Sequence, residues 1–138
     1  MNETPNETLS VVIERETRYP PEKIWRALTQ PHLIEEWLMK NDFEAVVDHR
    51  FNFRADWGAV DCKVLAVEPN KTLSYAWSAY GLKSVVTWTL TATSTGTHLR
   101  MEQSGFPADK QHAQYYEGAK RGWQKFIGDL ERIVAGLQ

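Results

Sequence analysis

The sequence predicts an α+β domain in which one curved antiparallel sheet packs against one long C-terminal helix. Three observations support this fold class. First, an apolar strand near the N-terminus is followed by two short helical segments. Second, about six segments of alternating apolar and polar residues come next. Third, the chain ends in a long apolar stripe at helical spacing. Because the sheet and the helix must each bury one apolar face, we expect them to cover each other.

The N-terminal third of the chain contains the first strand and both short helices. The strand is predicted at residues 9–18, where a run of β-branched residues precedes alternating charges. Pro21 suits the first position of a helix, since its missing N–H costs nothing there, and the second helix follows Pro31. Neither short helix would be stable alone, so we expect both to pack against a larger element.

Two-residue alternation of apolar and polar side chains then continues from Asp42 to Gln103. The turns between the alternating segments are too short for parallel crossovers, so the sheet is predicted to be antiparallel. One face should be buried, and the face rich in Thr, Ser and charged residues should contact water. The segments are residues 43–48, 51–54, 60–66, 73–77, 86–91 and 99–103.

The last predicted element is a helix over residues 110–136, with Asp109 as its N-cap. Gly118 and Gly122 lie in its first half, where each costs roughly 0.5–1 kcal/mol relative to alanine. We therefore expect a close approach of another segment, or a bend, at these two glycines.

Length and composition restrict the classes of function. A chain of 138 residues suits one domain, predicted at 8–138 after a loose tail at 1–7. With 16 basic and 18 acidic residues and no run of like charges, it is not predicted to bind nucleic acid. It has no apolar run of about 20 residues for a membrane span, and its first residues do not resemble a signal peptide. We expect a cytoplasmic protein that contains no metal and no cofactor.

Aromatic side chains dominate the predicted inner surface, and they either fill the core or line a cavity for a flat apolar ligand. Inward-facing Tyr and Trp also carry a donor that needs a partner, which favours some polar contents. The residues predicted to line such a cavity are Trp37, His49, Phe51, Phe53, Val64, Tyr75, Trp77, Val86, Trp88, Met101, Gln103, Tyr116, Trp123 and Ile127.

Three polar or reactive residues among the inward positions have alternative interpretations. Gln103 continues an inward stripe, where its amide either bonds to backbone at the strand end or anchors a ligand in an apolar pocket. His49 either faces inward with Phe51 or lies at an edge or in a loop. Cys62 alternates in step with the inward-facing Val60 and Val64, so we expect a buried and unreactive thiol.

Several short phrases of the sequence stand in a characteristic order between about residues 8 and 136. They are residues 20–31, Trp37, and residues 64–69, 73–77, 86–90, 96–99, 103–106 and 122–123. In this order they resemble the START-like (SRPBCC) superfamily, in its branch of activator of heat-shock-protein-90 ATPase homologues. The resemblance implies a helix-grip fold, with an apolar cavity between sheet and helix. The family's Gly-Gly pair is replaced here by residues 48–50, so we expect a different local bend.

Three functions follow as hypotheses. The first is a module that binds an apolar or aromatic small molecule. The second is a co-regulator of a chaperone ATPase or another protein-interaction module, although eukaryotic activators carry an additional domain for which 138 residues leave no room. The third is a cyclase-like or aromatase-like enzyme using Gln103, His49, Tyr75 and Tyr116, a set without an obvious acid/base pair. We therefore favour binding over catalysis, and an exposed sheet edge would allow a homodimer.

Overall fold

A seven-stranded antiparallel sheet and one long helix form the frame of the protein, which confirms the α+β class. The structure is a computed structural model and describes residues 8–137, so the tail expected at residues 1–7 lies outside the described part. In chain order the elements are β1 (Thr8–Thr17), α1 (Pro21–Thr29), α2 (Pro31–Trp37), β2 (Lys40–Asn41), β3 (Arg50–Ala55), β4 (Gly58–Glu68), β5 (Thr72–Ala79), β6 (Leu82–Ala92), β7 (Thr97–Pro107) and α3 (Ala113–Gly136).

The strands lie in the order β1-β7-β6-β5-β4-β3-β2, so each strand from β2 to β6 pairs with the next one along the chain. All of these pairs are antiparallel, as the short connections require. β1 instead lies at the edge opposite β2, where it pairs with β7. The end of this pairing is fixed by the buried Thr97, whose Oγ1 donates a hydrogen bond of 2.6 Å to the Tyr19 carbonyl.

Helix α3 packs on the apolar face of the sheet through one stripe of buried side chains, Trp123, Ile127, Leu130 and Val134. Their spacing of four, three and four residues places them on one side of the helix. In β6 and β7, every second residue over most of the strand is buried, as the alternating pattern predicts. Sheet and helix therefore share one hydrophobic core.

The two short helices close one end of this core. Both begin with a proline at the first helical position, as the sequence predicts. Trp37, at the end of α2, is 3% exposed and donates its indole N–H to the Ala27 carbonyl of α1 at 2.8 Å. Its ring also meets the Trp88 ring of β6 edge-on, with centroids 5.6 Å apart. The helices are thus stabilised by tertiary packing rather than by their own length.

The strand predicted at residues 43–48 is wrong, because β2 lies earlier, at Lys40–Asn41, and turns and bends occupy most of the predicted segment. The N–H of Val46 donates to the Glu44 carbonyl at 2.8 Å, and the Val46 carbonyl accepts from the His49 N–H at 3.0 Å. Short turns of this kind use the backbone groups that a sheet ladder would need. The alternating pattern is too short to outweigh these local bonds.

The predicted C-terminal helix begins slightly later than expected. A single 3-10 turn occupies Lys110–His112, and the α-helix starts at Ala113. Asp109 caps this turn as predicted, since its carboxylate accepts a hydrogen bond of 2.9 Å from the His112 N–H. The His112 side chain also bonds to this carboxylate and thereby lowers the pKa of Asp109.

Strands β1 and β2 form the two edges of the sheet, and the homodimer expected from an exposed edge stays a prediction. At β1, the Tyr116 hydroxyl of α3 donates a hydrogen bond of 2.9 Å to the Ser10 carbonyl. Part of this edge is therefore occupied by a side chain of the same molecule.

Stability is expected to depend on pH through His98, which lies between two carboxylates. Its Nε2 is 2.7 Å from Oε1 of Glu14, and its Nδ1 contacts Glu16. The hydrogen bond to Glu16, followed by that to Glu14, raises the pKa of His98 above its ordinary value of 6.5. Since the folded pKa exceeds the unfolded one, the stabilisation is complete below about pH 6.5 and is lost as pH rises through the folded pKa.

Urea denaturation at a series of pH values measures this loss. We expect the wild type to lose more stability than a His98→Gln variant between about pH 6 and about pH 9. Replacing Glu14 and Glu16 by glutamine should lower the pKa of His98, followed by NMR, towards 6.5. Identical pH profiles for the wild type and His98→Gln would contradict the assignment.

Candidate functional site

A cavity of about 400 Å³ lies between the sheet and the first half of α3. We call it the α3 cavity. Its wall is mostly apolar and combines residues from strands, from two hairpin turns and from the helix. This volume falls within the usual range of small-molecule pockets. The residues that line the α3 cavity are Met39, Trp57, Val60, Trp77, Ala79, Tyr80, Gln103, Gln114, Tyr115, Gly118, Ala119, Gly122, Trp123 and Phe126.

Two exposed aromatic side chains stand at the mouth of the α3 cavity. Trp57, in the β3–β4 turn, and Tyr80, in the β5–β6 turn, are 52% and 71% exposed, and their rings stack with centroids 5.8 Å apart. Tyr80 and Gly81 have φ values of 55° and 77°, the positive pair that a tight two-residue hairpin requires. The Tyr80 ring also meets the Tyr115 ring of α3, with centroids 5.9 Å apart. The two turns and the helix therefore form the rim together.

The deep wall of the α3 cavity consists of two buried indole rings. Trp77 of β5 and Trp123 of α3 lie with their ring centroids 5.4 Å apart. Behind them, the fully buried Trp88 meets the Trp123 ring edge-on at 5.8 Å. Edge-to-face packing at 5.8 Å, as between Trp88 and Trp123, is favourable. The wall that a ligand would contact is thus supported by a second layer of aromatic side chains.

One buried polar side chain interrupts this apolar wall. Gln103 is 1% exposed, and its Oε1 accepts a hydrogen bond of 2.6 Å from Nε1 of Trp123. Its Nε2 donates to Oγ of Ser84 at 2.8 Å. Both partners are side chains. The alternative in which the Gln103 amide bonds to backbone at the strand end is therefore wrong. The amide is thereby held in the wall of the α3 cavity.

The two glycines in the first half of α3 face open space, so the close approach expected from the sequence is wrong. A Cβ at Gly118 would meet no atom within 4 Å, and one at Gly122 would touch only the Phe126 ring at 4.0 Å. Both glycines line the α3 cavity. The helix therefore carries its least favourable residues where larger side chains would fill the cavity.

Three of the fourteen residues predicted to line a cavity lie at the α3 cavity: Trp77, Gln103 and Trp123. Several of the others fill the core instead. The Phe51 ring, for example, packs edge-on against the rings of Phe53 and Tyr75, with centroids 5.2 and 5.6 Å apart. The residues that the structure places away from the α3 cavity are Trp37, His49, Phe51, Phe53, Val64, Tyr75, Val86, Trp88, Met101, Tyr116 and Ile127.

Sequence reasoning missed the rim of the α3 cavity. Trp57 and Tyr80 each precede a glycine, a pattern that in the sequence indicates only a turn, although a large aromatic side chain in a tight hairpin is itself informative. Tyr115 precedes the predicted Tyr116 by one residue, a rotation of about 100° around the helix. The predicted stripe therefore includes Tyr116 in place of Tyr115 at the start of α3, although Trp123 of the same stripe does line the cavity.

The four residues named for catalysis do not converge. Tyr75 lies in the core, where its hydroxyl accepts a hydrogen bond of 3.0 Å from the Trp88 indole and burial raises its pKa. The His49 ring stacks on Phe51 at 6.0 Å, and the Tyr116 hydroxyl is bonded at the β1 edge. Of the four, Gln103 alone lines the α3 cavity. These four side chains therefore do not form an acid/base pair at the α3 cavity.

Cys62 is buried, as the sequence predicts, and its environment is unfavourable for a thiolate. Burial, and to a smaller extent the negative charge of Asp61, raises the pKa of Cys62. A thiol of this kind is a poor nucleophile at neutral pH.

Within residues 8–137, the structure contains no group of three or more His, Cys, Asp or Glu side chains arranged to hold a metal ion. No helix in the same part of the chain combines the length and the apolar character that crossing a membrane requires.

Known structures with the same fold include two that resemble this chain over nearly their full length. Protein MLL2253 from Mesorhizobium loti is 60% identical, with a TM-score of 0.88 over 94% of this chain and 99% of that one. Protein BH1534 from Bacillus halodurans is 28% identical, with a TM-score of 0.80 over 91% and 96% of the two chains. DynU16, a protein in the dynemicin biosynthetic locus, is 26% identical, with a TM-score of 0.81 over 92% of this chain and 47% of DynU16.

No curated protein matches the chain significantly. A family model does match, over residues 18–135, which include α1, α2, β2 to β7 and nearly all of α3. The helix-grip arrangement of the sheet, the two short helices and α3 agrees with this assignment. The chain belongs to the family described as activator of Hsp90 ATPase homolog 1-like protein.

Proposed function

We propose that this protein binds a flat, apolar or aromatic small molecule in the α3 cavity. The observation that carries the proposal is the cavity itself, about 400 Å³ of space with a largely apolar and aromatic lining and few polar groups. Pockets for small molecules typically have this composition, in which apolar walls supply affinity and a few polar atoms fix orientation. The exposed rings of Trp57 and Tyr80 would cover part of a bound ligand at the mouth.

The open space beside the helix glycines further supports the proposal. Glycine inside a helix costs roughly 0.5–1 kcal/mol relative to alanine, and at Gly118 no steric contact requires it. Retaining space for a ligand is a physical reason for this residue. The resemblance to DynU16 agrees with a role connected with small molecules, since that protein belongs to a biosynthetic locus.

Filling the cavity from the helix tests the proposal. The probe is N-phenyl-1-naphthylamine, a neutral aromatic molecule whose fluorescence rises in apolar surroundings. We expect the wild type to bind it saturably and Gly118→Leu to bind at least about tenfold more weakly, which corresponds to about 1.4 kcal/mol. The Leu side chain should occupy the cavity while improving helix propensity, so the melting temperature should not fall.

Gly128→Leu is the matched control, because Gly128 lies in the same helix, also has open space around its Cα, and does not line the cavity. Its affinity for the probe should equal that of the wild type. Equal affinity of Gly118→Leu and the wild type, or the absence of saturable binding, would overturn the proposal.

Regulation of a chaperone ATPase is a second candidate function, favoured by the description of the family. Steady-state ATP hydrolysis by purified Hsp90, measured with and without this protein, tests it. Stimulation that Gly118→Leu leaves intact would assign this activity to a surface other than the α3 cavity.

A further inference from the structure

The amide of Gln103 has only one orientation that satisfies its neighbours. The Trp123 indole N–H is a donor only, so the atom 2.6 Å from it must be the amide oxygen. The Ser84 hydroxyl donates its hydrogen to the Trp77 carbonyl at 3.2 Å and can therefore accept from Nε2 of Gln103 at 2.8 Å. The amide oxygen thus faces α3, and the amide nitrogen faces β6.

This arrangement uses only one of the two hydrogens on Nε2. Within residues 8–137, the structure gives this nitrogen one acceptor, Ser84. Gln103 is 1% exposed and lines the α3 cavity, so the second hydrogen belongs to a buried amide next to open space. A buried donor left without an acceptor is energetically unfavourable. A water molecule can accept this hydrogen, and a ligand that displaces that water must supply an acceptor instead.

The backbone of the sheet holds this amide in place. Gly105 has a φ of 106°, and β1 pairs past it through an irregularity between Leu9 and Ser10. A Cβ on Gly105 would lie 3.2 Å from the Lys83 carbonyl oxygen and 3.3 Å from Cα of Ser84. The glycine therefore allows β7 to approach β6 closely at Ser84. The donor is positioned before any ligand arrives, which reduces the entropic cost of binding.

We infer that the ligand of the α3 cavity is an aromatic carbonyl compound whose oxygen accepts the second Nε2 hydrogen of Gln103. The inference rests on the proposed function and deepens it. The rings of Trp77 and Trp123 provide an apolar wall for the aromatic part, and the fixed amide provides a single donor for the oxygen. A site built around a buried donor discriminates against an analogue that lacks the acceptor.

A pair of matched probes tests the inference. 1-Tetralone and tetralin have the same fused rings and differ by one carbonyl oxygen. Calorimetric titration of the wild type gives the ratio of their affinities, and the same ratio is measured for Gln103→Met. We expect the preference for the ketone to fall about tenfold in Gln103→Met. Gln124→Met, which removes an exposed amide of α3 outside the cavity, should keep the wild-type ratio. Gln114→Met removes the other amide that lines the cavity and tests whether that side chain supplies the donor instead.

Infrared spectroscopy gives a second readout that needs no variant. The carbonyl stretch of 1-tetralone bound to the wild type should lie at a lower frequency than in hexane, because hydrogen bonding weakens the C=O bond. If Gln103→Met does not fold, this frequency decides the question. A stretch at the hexane position, or a preference that Gln114→Met abolishes, would overturn the inference.

The outcomes separate this inference from the proposed function. If 1-tetralone, tetralin and N-phenyl-1-naphthylamine all fail to bind, the proposed function itself is wrong. If tetralin and 1-tetralone bind with a ratio that Gln103→Met leaves unchanged, the cavity binds ligands but the Gln103 donor does not select them.

Discussion

Replacing Trp88 with alanine is expected to lower the free energy of unfolding by about 3–5 kcal/mol, the usual cost of deleting a large aromatic side chain from a core. Trp88 is 0% exposed and packs edge-on between the rings of Trp37 and Trp123. Its indole N–H also donates to the Tyr75 hydroxyl at 3.0 Å. The variant therefore loses buried apolar surface, two ring contacts and one buried hydrogen bond together.

Urea denaturation of the wild type, Trp88→Ala and Trp57→Ala measures this effect. Trp57 is 52% exposed and stacks on the exposed Tyr80, so its removal should cost less than about 1 kcal/mol. A loss below about 1 kcal/mol in Trp88→Ala would show that the aromatic layer behind the cavity does not determine stability.

Replacing Gly96 with alanine is the second change expected to have a large effect, with a loss of about 3 kcal/mol. A Cβ at this position would lie 2.1 Å from the Thr17 carbonyl oxygen and 2.7 Å from Cα and the carbonyl carbon of Arg18. All three atoms belong to the backbone, so no side-chain rotation relieves the clash. The strands β1 and β7 would have to separate where Thr17 pairs with Thr97, and overpacking of this kind typically costs about 1–3 kcal/mol.

Gly128→Ala is the control for Gly96→Ala. A Cβ at Gly128 meets no atom within 4 Å, and alanine is the best helix former, so this variant should be more stable by about 1 kcal/mol. Melting temperatures and urea midpoints of the two variants should therefore move in opposite directions. A Gly96→Ala variant as stable as the wild type would contradict the close backbone approach.

Most of the fold could be predicted because its determinants are local. Prolines at the first helical positions predicted α1 and α2, and alternation with a period of two predicted the strands β3 to β7. The segment at residues 43–48 is the exception. Six alternating residues are too few to distinguish a strand from a loop that buries Phe43 and closes turns with its own backbone.

The candidate site could be predicted only in part. The alternation of inward and outward residues along the strands correctly placed Trp77 and Gln103 on the inner face. The helical period did the same for Trp123. Parity does not distinguish an aromatic ring that fills the core, such as Phe51, from one that borders a cavity. Both are inward-facing, and the difference depends on how far the opposite element stands from the sheet.

The sequence by itself determined the α+β class, the antiparallel sheet, the order of its elements and the inward position of the Gln103 amide, because these follow from periodicities of two and 3.6 residues. Only the tertiary structure decided where space remains. Gly118 and Gly122 lie next to an opening rather than a tight contact, and Trp57 and Tyr80, distant in sequence, form its rim. A cavity is the volume left when all elements pack together, so it is a property of their arrangement in space and of no single segment.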